Sequence, residues 1–593
     1  MLAFPRAASR ALLVALLVGG PVATSTVHAQ PTIGTTIEDL SCLDIRAQRR
    51  RLSDFGAPPA LVLFFVTKDC PMVGRVLPKV EGLAQAFGSR GVQFVAVNVG
   101  RSDTMREIGT QAIEFKQSYP FVKDDDLRLV RALGVEHTTA AVVLDAERRL
   151  RYRGRVDDQV RYANVKAAPA REDLRLAIES VLAGAEVEVA ETPVEGCRIT
   201  HPVEPTGSAG YTFHRDVEPL VQRHCQECHH AGGSAPFALV TYDDVADHAA
   251  TIAEVVRLQI MPPWHASDAH GVFRNRRGLS ADERALLADW LRSGVARGSP
   301  SDAPPPREFA PGPWRIGTPD LIVTAASPMH VPEEGVVPYV YQVFPHAFEA
   351  DTWIEALEIL PENKRVLHHA NLAFVERGKG FSQDGFITGF VPGGDPFVLD
   401  PGTAFKVPKG SVFAIQAHYV TTGKPETDRI RIGIRFPKAQ VAHRAEVLVV
   451  TNTRFAIAAG ASSHPVTASR RMPADASVIG LFSHMHLRGR DMTFVAHRPQ
   501  GPPETLLMIP NYDFEWQASY RYHEGAMKLP AGTRVEVIAH FDNSAFNPFN
   551  PDPDSVVRFG QQTFEEMMYG FVFFTRDGAD LALRVDPTTG REG

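Results

Sequence analysis

Ala60-Leu-Val-Leu-Phe-Phe-Val-Thr-Lys-Asp-Cys-Pro71 decides the architecture of the first third of the chain. The apolar run Ala60 to Val66, uninterrupted by a polar residue, is the pattern of a strand buried on both faces, which needs cover on each side. Val76 to Phe87 then has helical spacing, so Cys70 is expected where a strand passes into a helix, and a helix N-terminus favours its thiolate. Val92 to Asn98 predicts a second strand, and Ala140–Asp145 with Arg149–Gly154 a closing hairpin. Residues 31–198 are therefore expected to form an α/β domain.

This stretch resembles the thioredoxin-like, peroxiredoxin-type redoxins through Thr67-Lys-Asp-Cys70-Pro71, Gly154-Arg-Val-Asp-Asp-Gln159 and Gly196-Cys197. Val73 stands where a thioredoxin has its second cysteine, Leu63 where a peroxiredoxin has proline, and Thr138-Thr139-Ala140 replaces Thr-Pro. Two expectations stay open: a docking domain that kept a fold, or a working thiol at Cys70 with Cys42 or Cys197 as resolving partner.

The whole chain has 593 residues and a formal net charge of -7, with no basic block to follow a phosphate backbone. Nucleic acid is not an expected partner. Residues 1–29 read as a signal peptide, with Arg6 and Arg10 before the apolar run Ala11–Gly19 and Val27-His28-Ala29 as the cleavage site. No later segment reaches the ~20 apolar residues of a membrane span. The mature protein is expected to be periplasmic or secreted.

Cys225-Gln-Glu-Cys228-His229 has the spacing that attaches haem by two thioethers, with His229 on the iron. Helical patterns flank it: Asp216–Arg223, Tyr242–Gln259, and a helix after the capping box Ser280-Ala-Asp-Glu283. Residues 211–298 resemble a small cytochrome c throughout. That resemblance implies one covalent haem c, with Met261 of Met261-Pro-Pro-Trp264 as sixth ligand. The other reading of Met261 is a core methionine.

Seven prolines between Pro300 and Pro319 mark a linker, 299–319. Beyond it strands predominate, such as Val412–Val420 and Arg429–Phe436, and the length suits two all-β sandwiches, 320–457 and 458–593, joined near 459–477. Twelve of the chain's 22 histidines lie here, several on predicted strands. His484 and His486 are spaced to share one strand face. His368 and His369 are adjacent, so they reach one metal only if their strand bulges. Imidazoles with a thioether, here Met567, suit copper.

His368-His369, Gln416-Ala-His418-Tyr419, His484-Met-His486 and Glu565-Glu-Met567, in this order, resemble the copper type II, ascorbate-dependent monooxygenases, the peptidylglycine and dopamine hydroxylase family. The resemblance implies two coppers: an electron-transfer site at His368, His369 and His418, and an oxygen-binding site at His484, His486 and Met567. It also implies a solvent-filled cleft between them, dioxygen and an organic substrate as reactants, and jelly-roll-like domains. Met568 is expected to face away from Met567.

The leading expectation is an exported copper monooxygenase that hydroxylates a C–H bond and is fed electrons by its own haem, or by an external donor. Two alternatives stand beside it: an electron-transfer or copper-handling protein without hydroxylase activity, and a thiol-based peroxidase or reductase using Cys70 as its catalytic residue.

Overall fold

The computed structural model describes residues 30–161, 165–201, 210–309, 312–382 and 385–592. The expected signal peptide lies outside the described residues. Among the described residues no helix is long and apolar enough to cross a membrane.

The N-terminal unit is α/β, as its first strand requires. Ala60–Val66 is buried along its whole length and lies in a seven-stranded sheet, parallel to Gln93–Asn98 and antiparallel to Ala141–Asp145. Its alternate residues feed two cores. Val62, Phe64 and Val66 pack on one face with helix Pro71–Gly88, and Leu61, Leu63 and Phe65 on the other with Arg128–Leu133. The hairpin follows as Ala141–Asp145 and Leu150–Gly154. Cys70 is the N-cap of Pro71–Gly88, at the predicted junction.

The middle region is helical. A π-turn, Phe213–Val217, runs into helix Glu218–His224, and Ser280 caps helix Ala281–Arg292 through the expected box with Glu283. The single helix expected over Tyr242–Gln259 is two, Tyr242–Asp247 and Ala249–Arg257. His248 makes the break, turning its Nδ1 back to the Asp244 carbonyl at 2.8 Å and stacking on Phe237 at 3.9 Å.

The C-terminal half is built from β-sheets, nearly all antiparallel. Sheets centred on Ser411–Tyr419 with Leu367–Glu376, and on Ala356–Leu360 with Arg431–Arg435, face each other over one apolar core. A second core lies under Ala476–His484, Tyr569–Arg576, Gly489–His497 and Arg534–Phe541. The expected joint at 459–477 instead carries strand His464–Arg471, paired along its length with Arg534–Phe541. The two halves share hydrogen bonding, because His443–Thr451 pairs in parallel with Thr403–Val407 and antiparallel with Tyr569–Arg576. An aromatic cluster closes the contact, with Phe386 of the first half stacked on Phe571 of the second at 4.2 Å.

Candidate metal centres and redox thiol

The strand bearing His368 and His369 has a register shift between Leu367 and His369, the bulge that adjacent ligands need. His418, on the neighbouring strand, lies directly opposite His369. The three side chains present nitrogen atoms within 4.8 Å of one another, a buried group able to hold a metal such as copper. The atoms that face inward are identified by what holds the others. His369 Nε2 meets the Tyr339 hydroxyl at 2.8 Å, and His368 Nε2 meets the Glu515 carboxylate. Nδ1 of His368 and Nδ1 of His369 are then 3.0 Å apart, and Nδ1 of His418 is buried with no partner. A carboxylate on the outer nitrogen is the arrangement that orients a metal-bound imidazole.

His484 and His486 lie at the end of Ala476–His484, both buried, with rings 5.2 Å apart. Their polarity is reversed. His484 Nδ1 is held by Gln517 Oε1 at 2.6 Å and His486 Nδ1 by the Glu565 carbonyl at 3.1 Å, which leaves both Nε2 atoms buried and unpartnered. Burial holds His484 down at about 4 and His486 at about 3. Both are neutral at physiological pH and available as ligands.

Met567 is buried in the aromatic cluster and Met568 in the core beneath, so the two face opposite ways as expected. Glu566, which sequence reasoning passed over, joins the segments. Its carboxylate accepts the amides of His486 at 2.9 Å, Arg488 at 2.6 Å and Met567 at 3.3 Å. Burial pushes its acid up to about 8 against these donors. Arg488, also buried, reaches Asn543 Oδ1 at 2.7 Å, which gives the turn-rich loop 543–551 a place in the same scaffold.

Where a solvent-filled cleft was expected between the two groups, two aromatic side chains stand. The Tyr339 ring is 5.4 Å from His418 and 6.0 Å from His486, and Phe514 lies 4.8 Å from His369 and 6.0 Å from His486. At His369 the neighbouring imidazoles add to burial. His369 is held well below the usual range by burial, then by His418 and His368, and also by His484 and His486.

Cys225, Cys228 and His229 form one turn after helix Glu218–His224, with the His229 amide on the Cys225 carbonyl at 3.0 Å. His229 Nδ1 donates to the Phe237 carbonyl at 3.0 Å, which leaves Nε2 as its lone-pair atom, and burial holds the ring at about 4. Met261 is half-buried just beyond helix Ala249–Arg257, with its amide on the Val255 carbonyl. No described contact joins it to His229.

Cys42 and Cys197 separate clearly as partners for Cys70. Cys42 is in the core on the other face of the sheet, where burial pushes its thiol up to about 12. Thr138 Oγ1 donates to Cys70 Sγ at 3.1 Å and accepts the Cys197 amide at 2.9 Å, so it holds the two cysteines together. Burial alone would raise the Cys70 thiol, yet hydrogen bonds from Cys197 and Thr138 bring it down to about 6. A cavity of about 50 Å³ lies over the pair, lined also by Phe237 and His248 of the helical region.

Residues 34–169 match the Redoxin family. The N-terminal unit is thus a redoxin domain, thioredoxin-like in fold, whose chemistry is thiol–disulfide redox. The resolving candidate Cys197 lies beyond the matched residues. Three solved structures are similar to the chain over about a quarter to a third of its length. A hypothetical protein of Sinorhizobium meliloti 1021 is 26% identical, covering 30% of this chain and 97% of that one, with a TM-score of 0.26. A secreted Mycobacterium tuberculosis disulfide oxidoreductase homologous to E. coli DsbE is 16% identical, covering 25% and 96%, with a TM-score of 0.19. The peroxidoxin BcpB of Mycobacterium tuberculosis is 17% identical, covering 26% and 94%, with a TM-score of 0.19. No curated protein matches the chain.

Proposed function

We propose that the chain is an exported copper monooxygenase that hydroxylates a C–H bond with dioxygen, with a fused cytochrome c-like domain as its electron source. The observation that carries this reading is the sorting of imidazole nitrogens into two donor sets. One is three Nδ1 atoms, and the other is two buried, unpartnered Nε2 atoms on the segment that Glu566 ties to Met567. Neutral imidazoles with a thioether are donors for copper in its lower oxidation state. Copper held there would supply one-electron chemistry toward dioxygen.

The chain's own residues do the rest. Glu515 and Tyr339 fix the outer nitrogens of His368 and His369, and Gln517 and the Glu565 carbonyl fix those of His484 and His486. The rings of Tyr339 and Phe514 stand between the two groups. Cys225 and Cys228 would carry the haem thioethers, His229 Nε2 would face the iron and Met261 would take the sixth position. The orientation of His229 by the Phe237 carbonyl fits that role.

The test is metal and haem stoichiometry on mature protein, with oxygen consumption measured on the same samples. Two coppers and one haem per chain, and loss of oxygen consumption in His484→Ala and Met567→Leu, support the reading. Fewer than two coppers, or unchanged oxygen consumption, removes it and leaves electron transfer or copper handling.

A second reading rests on Thr138, Cys70 and Cys197. Their contacts suit a thiol peroxidase or reductase with Cys70 as the attacking thiolate and Cys197 as its resolving partner. Alkylating Cys70 separates the two. Loss of all turnover favours the thiol reaction, and intact oxygen consumption favours the copper reaction.

A further inference from the structure

The cavity over Cys70 and Cys197 is walled by two units of the chain. The redoxin supplies the cysteines and Thr138, and the helical region closes the other side with Phe237, Asp247, His248 and Thr251. Phe237 and His248 are stacked at 3.9 Å, and His248 stands at the break between Tyr242–Asp247 and Ala249–Arg257. Both helices are tied down around this roof. Asp247 pairs with Arg101 at 3.6 Å, and Glu254 with Arg198 at 3.4 Å and His137 at 3.5 Å. The Ala250 amide donates to Thr200 Oγ1 at 3.3 Å and the Thr251 hydroxyl to the Arg198 carbonyl at 3.2 Å. Arg198 to Thr200 directly follow Cys197, so the chain that carries the second cysteine is the chain the helices grip.

Size and access then decide what the sulfur can meet. A water-sized molecule occupies ~10–15 Å³ of such a cavity, so one of about 50 Å³ takes only a few. Hydrogen peroxide, with two oxygen atoms, fits this space, and an aromatic hydroperoxide does not. Cys70 is buried and Cys197 half-buried at the wall of the cavity. To reduce a protein disulfide, a thiolate needs the partner's polypeptide against its sulfur, because exchange depends on access. The roof of Phe237 and His248 occupies that approach.

We propose that the docked helical region makes the Cys70–Cys197 pair a chamber for hydrogen peroxide, closed to bulky hydroperoxides and to protein disulfides. This chamber presupposes the working Cys70 thiol of the second functional reading, and within that reading it selects a peroxidase over a reductase. The Cys70 thiolate attacks one peroxide oxygen, the O–O bond breaks, and the other oxygen takes a proton from solvent and leaves as water. Cys70 then carries a sulfenic acid. The Cys197 thiol attacks that sulfur, the S–S bond forms, and the hydroxyl leaves with the Cys197 proton as a second water. One peroxide gains two electrons and the thiol pair loses two.

The test follows the Cys70–Cys197 disulfide by peptide mass in the reduced full chain, with hydrogen peroxide and cumene hydroperoxide at equal concentration. In the wild type, hydrogen peroxide is expected to form it about tenfold faster or more, the scale of discrimination that a tight pocket provides. The wild type is also expected to leave the disulfides of insulin intact. Asp247→Asn together with Glu254→Gln unties the helices. Salt at about 1 M, where the screening length is roughly 3 Å, weakens the same ion pairs in the unaltered chain. Either treatment is expected to speed the cumene hydroperoxide reaction and bring the two rates close together. Equal rates in the wild type at low salt, insulin reduction by the wild type, or a preference that survives both treatments overturns the chamber. A thiol pair that neither peroxide oxidises removes the thiol reading itself, and the chamber with it.

Discussion

Nδ1 of His368 and Nδ1 of His369 stand 3.0 Å apart, although the residues are neighbours in one strand, where side chains normally point to opposite faces. The register shift just before His369 turns both rings inward, and His418 opposite His369 completes the group. The site is therefore a property of the bulge as much as of the histidines.

Glu566 should matter to the second group more than its lack of metal-binding geometry suggests. Glu566→Ala strands the amides of His486, Arg488 and Met567. At about 1–3 kcal/mol per unsatisfied buried donor, chemical denaturation should show a loss of several kcal/mol. Metal analysis should show the His484–His486 site emptied before the three-histidine site.

Phe386 is the buried residue that the first half places in the aromatic cluster between the β-halves, stacked on Phe571 and 5.5 Å from Phe482. Phe386→Ala should cost roughly 3–5 kcal/mol, the range for a buried phenylalanine. A single cooperative unfolding transition should split in two if, as the shared sheet implies, the halves normally unfold together.

Cys70 should alkylate with a midpoint near pH 6, far below an ordinary thiol. Thr138→Val removes the hydroxyl donor to the sulfur and should raise that midpoint, as should Cys197→Ala. Cys42 should stay unreactive in the native chain, since burial pushes its thiol to about 12.

The metal-free protein should weaken in acid. His369, His418, His484 and His486 all have depressed values when folded, so from the ordinary 6.5 down to about 3 the unfolded chain binds more protons. Stability from these groups is present above about pH 6.5 and is lost as pH falls through that window. Thermal melts at pH 7, 6, 5 and 4 should show a progressive fall, and bound copper should oppose it, because metal and proton compete for the same nitrogens.

Local pattern made the scaffold legible. Ala60–Val66 announced a strand buried on both faces, the Ser280–Glu283 box announced a helix start, and the adjacency of His368 and His369 demanded a bulge that is present. What stayed hidden comes from far along the chain. Tyr339, Glu515, Gln517 and Glu566 reach the histidines from segments outside the strands, with no periodicity of their own. His248 broke a helix whose spacing looked continuous, because its ring is anchored on Phe237 in another segment. The choice of Cys197 over Cys42 needed the sheet itself, since the two cysteines lie on opposite sides of it.

Two separate donor sets, each holding a copper ion, are what the proposed reaction requires. The direct measurement is copper per chain on the mature protein, repeated for His369→Ala and His486→Ala. Two coppers are expected in the wild type and one in each variant, with the retained ion giving a different spectrum in each. A wild type holding one copper or none, or a variant that loses both ions or neither, would contradict it.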